Sequence, residues 1–403
     1  MRRSFILPFL ILGTCIHAQD DVVGDLIDAV RIDSMMKYVV ELSGEVAVDL
    51  GDGPVMITSR HKNNPGNALG QAYIMQKLGS FGYEPVEEVF STTGRNVLVT
   101  KPGVTHPDEI VVLCAHYDAM PGGIFDAPAA DDDGSGCGAL LEAARIMREI
   151  PFEYTIVFAF WDEEEQGLVG SAFYASHMAA DDELIHGVIN MDAIAFDSNG
   201  DRKCRVHTRP IANSGAITDT VFAVMDRYGI DLDLLRTEPG ATYSDHASFW
   251  NNGFGAVLMI EEFGADGNPH YHTPTDKVEF FDVPYFEKLA KLSIGSFAAF
   301  AVPFNTSSGL ATPSIDGSAA LYAYPNPTEY DATVWLDLPA ADVYQVQLIN
   351  AMGQVVALLH NGQLSTGKHG FQLPLEQAAP GTYSVVARSS DRRVLTARVV
   401  RTP

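Results

Sequence analysis

Apolar residues along this chain fall into two textures. Between about residues 65 and 300, nearly continuous apolar runs alternate with stretches whose apolar positions recur every three or four residues. The runs at 96–100, 110–115, 154–160, 188–191 and 256–260 read as strands buried on both faces, and the stretches at 68–78, 138–148, 216–228 and 285–300 as helices. That alternation predicts an α/β domain: a mostly parallel central sheet with helices on both faces. Upstream, residues 22–42 hold apolar positions at helical spacing in an acidic setting, a lead-in that is either a propeptide or the opening of the fold. Past residue 318 the pattern shortens. The segments 333–338, 343–349, 354–359, 383–387 and 394–400 are short strands separated by turn residues, which predicts a small β-sandwich. Between the textures, residues 305–318 are rich in Ser, Thr, Gly and Pro without periodicity, as a linker is.

The first residues set the compartment. Met1-Arg2-Arg3 precede a short apolar run at 5–12, and small residues lead to Ala18, the layout of a secretory signal peptide over 1–18. No later run approaches the ~18 uninterrupted apolar residues of a bilayer-spanning helix, so no integral membrane segment is expected. Loss of the leader leaves Cys114, Cys137 and Cys204, which allow at most one bridge, so the exported protein must rest on its core. Cys114 and Cys137 are expected as buried apolar filler. The expected division is 1–18 signal peptide, 19–60 lead-in, 61–304 catalytic domain, 305–318 linker and 319–403 β-sandwich.

Charge separates the textures as well. The 403 residues hold 26 basic and 52 acidic side chains, a net charge of −26. Six of each lie beyond residue 318, so the entire deficit belongs to the upstream part. A surface that tracks phosphates needs an excess of Lys and Arg, and nucleic-acid binding is thereby excluded.

Candidate chemistry sits where the apolar strands end. His116-Tyr-Asp118 follows 110–115, Trp161-Asp-Glu-Glu-Glu165 follows 154–160, and Asp192 follows 188–191. Asp131-Asp-Asp133 precedes a helix, and a later loop carries His270-Tyr-His272. An open α/β sheet places its ligands outside the carboxyl ends of its strands. Like charges gathered at one rim repel unless cations neutralise them, and imidazole with carboxylate is a zinc ligand set. A mononuclear hydrolase needs three protein ligands; this rim offers more, which points to two metals ~3.5–4 Å apart.

Six segments then carry a resemblance. Ala115-His-Tyr-Asp118, Ala130-Asp-Asp-Asp-Gly-Ser-Gly136, Glu164-Glu-Gln-Gly-Leu-Val-Gly-Ser171, Asn190-Met-Asp192, Ser244-Asp-His-Ala-Ser-Phe249 and Tyr271-His-Thr-Pro-Thr-Asp276 resemble, in order and spacing, the dinuclear zinc aminopeptidases of the bacterial leucyl type. The resemblance implies the three-layer zinc-exopeptidase fold and two zinc ions. His116 and Asp192 would hold one ion, Glu165 and His272 the other, and Asp132 would bridge them. It implies Glu164 as the general base that carries a proton to the leaving amine, and Asp118 as the group orienting His116. Peptide and protein N-termini would be the substrates. In that family a tyrosine four residues before the Ser-Asp-His aspartate helps stabilise the tetrahedral intermediate; here that position is Ala241, and Tyr243 lies two residues nearer. His246 and His270 are expected as structural histidines rather than ligands.

The C-terminal unit is similar to the sorting domains of proteins exported by the type IX route, through Ala323-Tyr-Pro-Asn-Pro-Thr328, Leu348-Ile-Asn-Ala-Met-Gly-Gln354 and Pro380-Gly-Thr-Tyr-Ser-Val-Val386. That resemblance implies the secretion machinery as partner and a secreted or cell-surface location. The rival readings are a carboxypeptidase or a glutaminyl cyclase on the same fold, or an inactive binding protein. A carboxypeptidase would want a cation near the pocket for the substrate carboxylate, and a cyclase works with one zinc.

Overall fold

The computed structural model describes residues 21–120, 125–264, 266–303, 320–324, 328, 331–350, 355–375, 378–389 and 394–402. The expected signal peptide, the linker and residues 325–327 of the 323–328 segment lie outside the described residues. The chain divides into two compact units, the first ending at Pro303 and the second beginning at Phe304.

In chain order, the first unit contains α1 (Val22–Ala29), α2 (Ile32–Leu42), β1 (Val48–Asp49), β2 (Pro54–Val55), α3 (Pro65–Ser80), β3 (Val86–Val89), β4 (Arg95–Lys101) and β5 (His106–His116). There follow α4 (Gly134–Met147), β6 (Tyr154–Trp161), α5 (Val169–Ala180), β7 (Leu184–Met191), β8 (Lys203–His207), α6 (Ser214–Tyr228), β9 (Asp233–Thr237), α7 (His246–Asn251), β10 (Ala256–Glu261) and α8 (Val283–Ala301). Eight strands form one mixed sheet in the order β3-β4-β6-β5-β7-β10-β8-β9. Its central four, β6-β5-β7-β10, are mutually parallel, while β3 and β4 on one side and β8 on the other introduce antiparallel pairs.

The continuous apolar runs split by parity, as buried strands must. Val111, Leu113 and Ala115 of β5 join Ile156, Phe158 and Phe160 of β6 in a core shared with α3, α4, α6 and α8. Val112 and Cys114 with Val157, Ala159 and Trp161 face the other way, against Tyr174 and Ala175 of α5 and Phe249 and Trp250 of α7. Helices therefore cover both faces, the three-layer α/β arrangement. Register brings the carboxyl ends of the parallel strands level: His116 pairs with Trp161, Cys114 with Asn190, and Met191 with Met259.

Residues 21–42 are built into this unit. Leu26, Ile27, Met35, Val39 and Leu42 are buried in the larger core. At Gly138 of α4 an added Cβ would lie 2.8 Å from Val39, so glycine is what lets α2 dock there. Glu142, fully buried on α4, accepts from the Arg31 backbone N–H at 2.8 Å and from Arg145 at 2.6 Å.

The second unit comprises β11 (Ala320–Tyr324), β12 (Asp331–Leu338), β13 (Asp342–Asn350), β14 (Val355–Leu364), β15 (Gly367–Pro374), β16 (Gly381–Ser389) and β17 (Val394–Arg401). They form a three-stranded sheet, β11-β12-β15, and a four-stranded one, β14-β13-β16-β17. Alternate residues of both, among them Val334, Leu336, Val346, Leu348, Val385 and Val399, share one apolar core, which makes the unit a sandwich.

Candidate metal centre

Each candidate side chain is aimed by a loop that leaves the carboxyl end of a central strand. His116 is the last residue of β5. The loop before α4 carries three aspartates with separate duties. Asp133 caps α4, accepting from the Gly136 N–H at 2.9 Å, and also accepts from the His116 N–H at 3.1 Å. Asp131 accepts from the Ala195 N–H at 3.0 Å and from Asn268 Nδ2 at 2.9 Å. Asp132, between them, is bonded through its side chain to no backbone N–H among the described residues; its Oδ1 meets His116 Nε2 at 3.1 Å, and its own N–H donates to Asp276 at 3.1 Å. The two flanking aspartates thus pin the backbone and leave Asp132 facing the rim.

After β6, Glu163 and Gly167 in left-handed conformation bracket a single 3-10 turn, Glu164–Gln166. That turn separates the glutamates. Glu163 turns away, to Lys62 at 3.2 Å and Thr93 at 2.9 Å, whereas Glu164 and Glu165 line the cleft. Asp118 accepts the N–H groups of Glu164 and Glu165 at 3.0 and 3.3 Å and stands 3.4 Å from His116 Nδ1. One buried carboxylate therefore fixes the glutamate turn and lies behind the imidazole.

The donor atoms converge in overlapping groups, two of which share Asp132. His116 Nε2 is 3.1 Å from Asp132 Oδ1, 3.7 Å from Asp192 Oδ1 and 3.9 Å from Glu164 Oε2. His272 Nε2 is 3.0 Å from Asp132 Oδ2 and 2.9 Å from Glu165 Oε2. The edge of a tetrahedron with ~2.0–2.1 Å metal–ligand bonds is about 3.3 Å, so these separations suit atoms sharing a metal. The bonding agrees. Asp132 Oδ2 and His272 Nε2 are both buried, yet among the described residues neither has a hydrogen-bond partner. Buried polar groups are ordinarily paired, and an unpaired pair at this distance fits a cation between them. His116, Asp132 and Asp192 form one cluster able to hold an ion, Asp132, Glu165 and His272 another, and His116, Glu164 and Glu165 a third that overlaps both.

Electrostatics follow from the crowding. Burial, with Asp132 beside it, pushes Glu165 up to about 8, and burial with the Asp245 and Asp192 charges raises Glu164 well above the carboxylate range, His116 opposing. Burial would lower His272, but Asp132 and Glu165 outweigh it and push it up to about 10. Burial would raise Asp132; the two facing imidazoles hold it below its ordinary value instead. Without metal, the cluster balances its charge with protons.

A cleft of about 640 Å³ opens over these groups. Asp132, Glu164, Glu165, Asp192 and His272 form one wall, and Leu168, Tyr243, Ile260, Phe263 and Tyr271 supply an apolar and aromatic remainder. His246 Nε2 donates to the Ala241 carbonyl at 2.9 Å and His270 contacts Thr275 at 2.8 Å, so neither joins the cluster. Cys114 and Cys137 are buried with thiol values raised by burial, and their sulfurs lie 3.3 Å from Asn190 Oδ1 and 3.2 Å from the His116 carbonyl. Two further residues shape the site without a role expected from the sequence. Arg60, fully buried, donates to the carbonyls of Tyr117, Leu42, Pro128 and Ala129 at 2.6–2.8 Å and so ties the loops bearing His116 and Asp132 to α2. Tyr271 stacks on His272 with ring centroids 3.8 Å apart; it stood inside a quoted motif but without a role.

Residues 96–295 match Peptidase family M28, and residues 322–401 match the secretion system C-terminal sorting domain. The chain carries an M28 peptidase domain. Over 211 residues it is 30% identical to a probable leucine aminopeptidase of Trichophyton verrucosum, covering 50% of this chain and 55% of that protein. To the aminopeptidase YwaD of Bacillus subtilis it is 28% identical over 215 residues, 52% of this chain and 45% of that one. The chain therefore spans about half the length of these curated relatives. The LapA aminopeptidase of Legionella pneumophila matches with a TM-score of 0.59 at 21% identity, over 71% of this chain and 76% of that one. A glutaminyl cyclase of Bacteroides thetaiotaomicron matches with a TM-score of 0.51 at 17% identity, over 66% and 97%. Likeness at such identities speaks for the M28 fold, which a peptidase and a cyclase share.

Proposed function

We propose that the M28 unit is an exported zinc aminopeptidase with two metal ions. His116 and Asp192 would hold one ion, Glu165 and His272 the other, with Asp132 shared between them. The observation that carries this is the position of Asp132: its two oxygens lie 3.1 and 3.0 Å from imidazoles that belong to different clusters. Bound zinc would supply Lewis-acid polarisation of the scissile carbonyl and a lowered pKa for the attacking water. Glu164, buried at the same wall and outside the shared pair, would take the proton from that water and deliver it to the leaving amine. Asp118 would keep the Glu164–Glu165 turn and His116 in position through its bonds to both N–H groups. The cationic substrate N-terminus would settle among the carboxylates, and the apolar wall would take its side chain.

The rival readings find less support. A carboxypeptidase needs a free cation at the cleft; Lys62 is engaged by Glu163 and Arg205 by Glu262 at 2.6 Å, and among the described residues no Lys or Arg lines the cleft. A one-metal cyclase would leave the second cluster without a purpose. The sorting domain supports export, with the secretion machinery as partner and a secreted or surface-attached product.

Hydrolysis of leucine anilide, its N-acetylated form and an N-blocked dipeptide, before and after chelation, tests the activity. Chelator-sensitive cleavage of the free-amine substrate alone is expected. Cleavage of the blocked dipeptide, or inertness toward all three, would overturn the reading.

A further inference from the structure

Glu261, the last residue of β10, is fully buried. It grips the loop that follows Asp192 twice: its backbone N–H donates to the Ala193 carbonyl at 3.0 Å, and its Oε2 accepts the Phe196 N–H at 2.7 Å. Its other oxygen, Oε1, is buried, and no N–H or O–H among the described residues donates to it. The neighbour hydrogen-bonded to the Glu261 carboxyl is the side chain of Asp131. Both Asp131 oxygens already accept, Oδ1 from the Ala195 N–H at 3.0 Å and Oδ2 from Asn268 Nδ2 at 2.9 Å. An ionised carboxylate can only accept, so two carboxyl groups bond each other only with a proton between them. Asp131 is held by donors at both oxygens and Glu261 at Oε2 alone; the proton therefore belongs on Glu261 Oε1, directed at Asp131. Burial and the Asp131 charge push Glu261 well above the carboxylate range, in keeping with a neutral acid. Asp131 precedes Asp132 in the chain, and Asp276, from the loop of His272, accepts the N–H groups of both at 3.0 and 3.1 Å. Three loops that carry candidate ligands thus meet at Asp131.

We propose, resting on the two-metal reading, that Glu261 is a positioning residue for the zinc site: as a neutral acid it donates to Asp131 and accepts from Phe196, and so fixes the loop of Asp132 against the loop of Asp192. Those are the two carboxylates assigned to the ion on His116. Glu261 acts through its two partners and not on the reacting atoms. The neutral acid is the form that suits the place. A second buried negative charge beside Asp131 would repel it, and an apolar side chain would leave the Phe196 N–H unpaired.

The test uses the full-length protein titrated with zinc. Glu261→Gln keeps the shape and both bonds, its amide N–H donating to Asp131 and its carbonyl accepting from Phe196, so zinc affinity is expected within about threefold of wild type. Glu261→Leu loses both bonds and is expected to bind zinc about 10–100-fold more weakly, the cost of removing a partner that orients metal ligands. A Gln variant as weak as the Leu variant would overturn the proposal, since the charge and not the donated bond would then matter. A Leu variant with wild-type affinity would make Glu261 core filler. Infrared spectroscopy reads the proton directly and decides the case even if Glu261→Leu does not fold. In zinc-loaded protein at neutral pH, the wild-type spectrum minus that of Glu261→Gln should contain the C=O stretch of a protonated carboxyl, shifted by deuteration. Carboxylate bands in its place overturn the proposal whatever the affinities. A wild-type chain that takes up fewer than two zinc ions while showing the protonated carboxyl would overturn the two-metal reading, and with it this role, through a different result.

Discussion

Arg60 is the place where the fold and the site are joined most tightly, and lysine there separates charge from geometry. The guanidinium meets four backbone carbonyls, those of Tyr117, Leu42, Pro128 and Ala129, at 2.6–2.8 Å, and among the described residues no carboxylate is hydrogen-bonded to it. Its charge is answered at longer range by Asp276, Asp118 and Asp133. Arg60→Lys keeps that charge but loses the planar fork, and an ammonium on a single stem reaches about two of the four acceptors. Each buried carbonyl left unpaired costs about 1–3 kcal/mol, so about 2–6 kcal/mol is expected in all. For a unit of about 280 residues the unfolding entropy is roughly 0.6 kcal/mol/K, which converts the loss to a fall in Tm of about 3–10 °C. The loops released carry His116 and Asp132, so bound zinc should fall as well. Calorimetry of the full-length variant without metal, followed by metal analysis after zinc loading, measures both. A Tm within about 1 °C of wild type, with wild-type zinc content, would refute the claim that Arg60 clamps these loops.

Glu164→Gln should retain wild-type zinc content while kcat falls about 10²–10⁴-fold, because the residue is assigned to proton transfer and not to metal holding; zinc lost together with activity would make Glu164 a ligand. Metal-free protein should lose stability as pH rises from about 5 to 10. Glu165 and His272 have folded values of about 8 and 10 against ordinary values of 4.5 and 6.5, so both favour the fold at low pH and lose that advantage as pH climbs through the folded values. The rise in Tm on adding zinc should accordingly be larger at pH 8 than at pH 6, and a constant increment in a melting series would contradict the proton-balanced cluster. Gly138→Ala places a methyl 2.8 Å from Val39 and 3.2 Å from the Met35 carbonyl, so a loss of about 1–3 kcal/mol and earlier proteolysis within 21–42 are expected. An unchanged melt and digestion pattern would mean that α2 accommodates the methyl.

The sheet was legible where burial is two-sided. The runs at 96–100, 110–115, 154–160, 188–191 and 256–260 all lie within β4, β5, β6, β7 and β10, the middle of the sheet. β8 and β9 were not legible, because a sequence such as Lys203-Cys-Arg-Val-His207 near the sheet edge mixes polar and apolar positions and only its pairing makes it a strand. Helix starts were placed late for a local reason: Asp133 and Asn64 cap α4 and α3 several residues before their apolar periodicity begins. In the sandwich, β15 escaped because Gly367, Gly370 and His369 break the alternation that marks a strand.

The candidate site was legible to the extent that its chemistry lies in side chains of unusual type at strand ends. Which of three adjacent glutamates faces the cleft depends on left-handed turns at Glu163 and Gly167; the resemblance implied Glu164 and Glu165, and both line the cleft. Arg60 and His207 carried no signal, since their partners are backbone groups brought close only by the fold. Tyr243 could be noticed, as a tyrosine two residues from the family's position, but its contact with His207, 36 residues away, is made only by the fold.

The central claim is that Asp132 is shared by two metal ions, and zinc-edge anomalous diffraction of zinc-loaded full-length protein tests it most directly. Two scattering centres about 3.5–4 Å apart are expected, one beside His116 and Asp192 and the other beside Glu165 and His272, with an Asp132 oxygen on each. A single centre at full loading, or two centres too far apart for one carboxylate to touch both, would contradict the account.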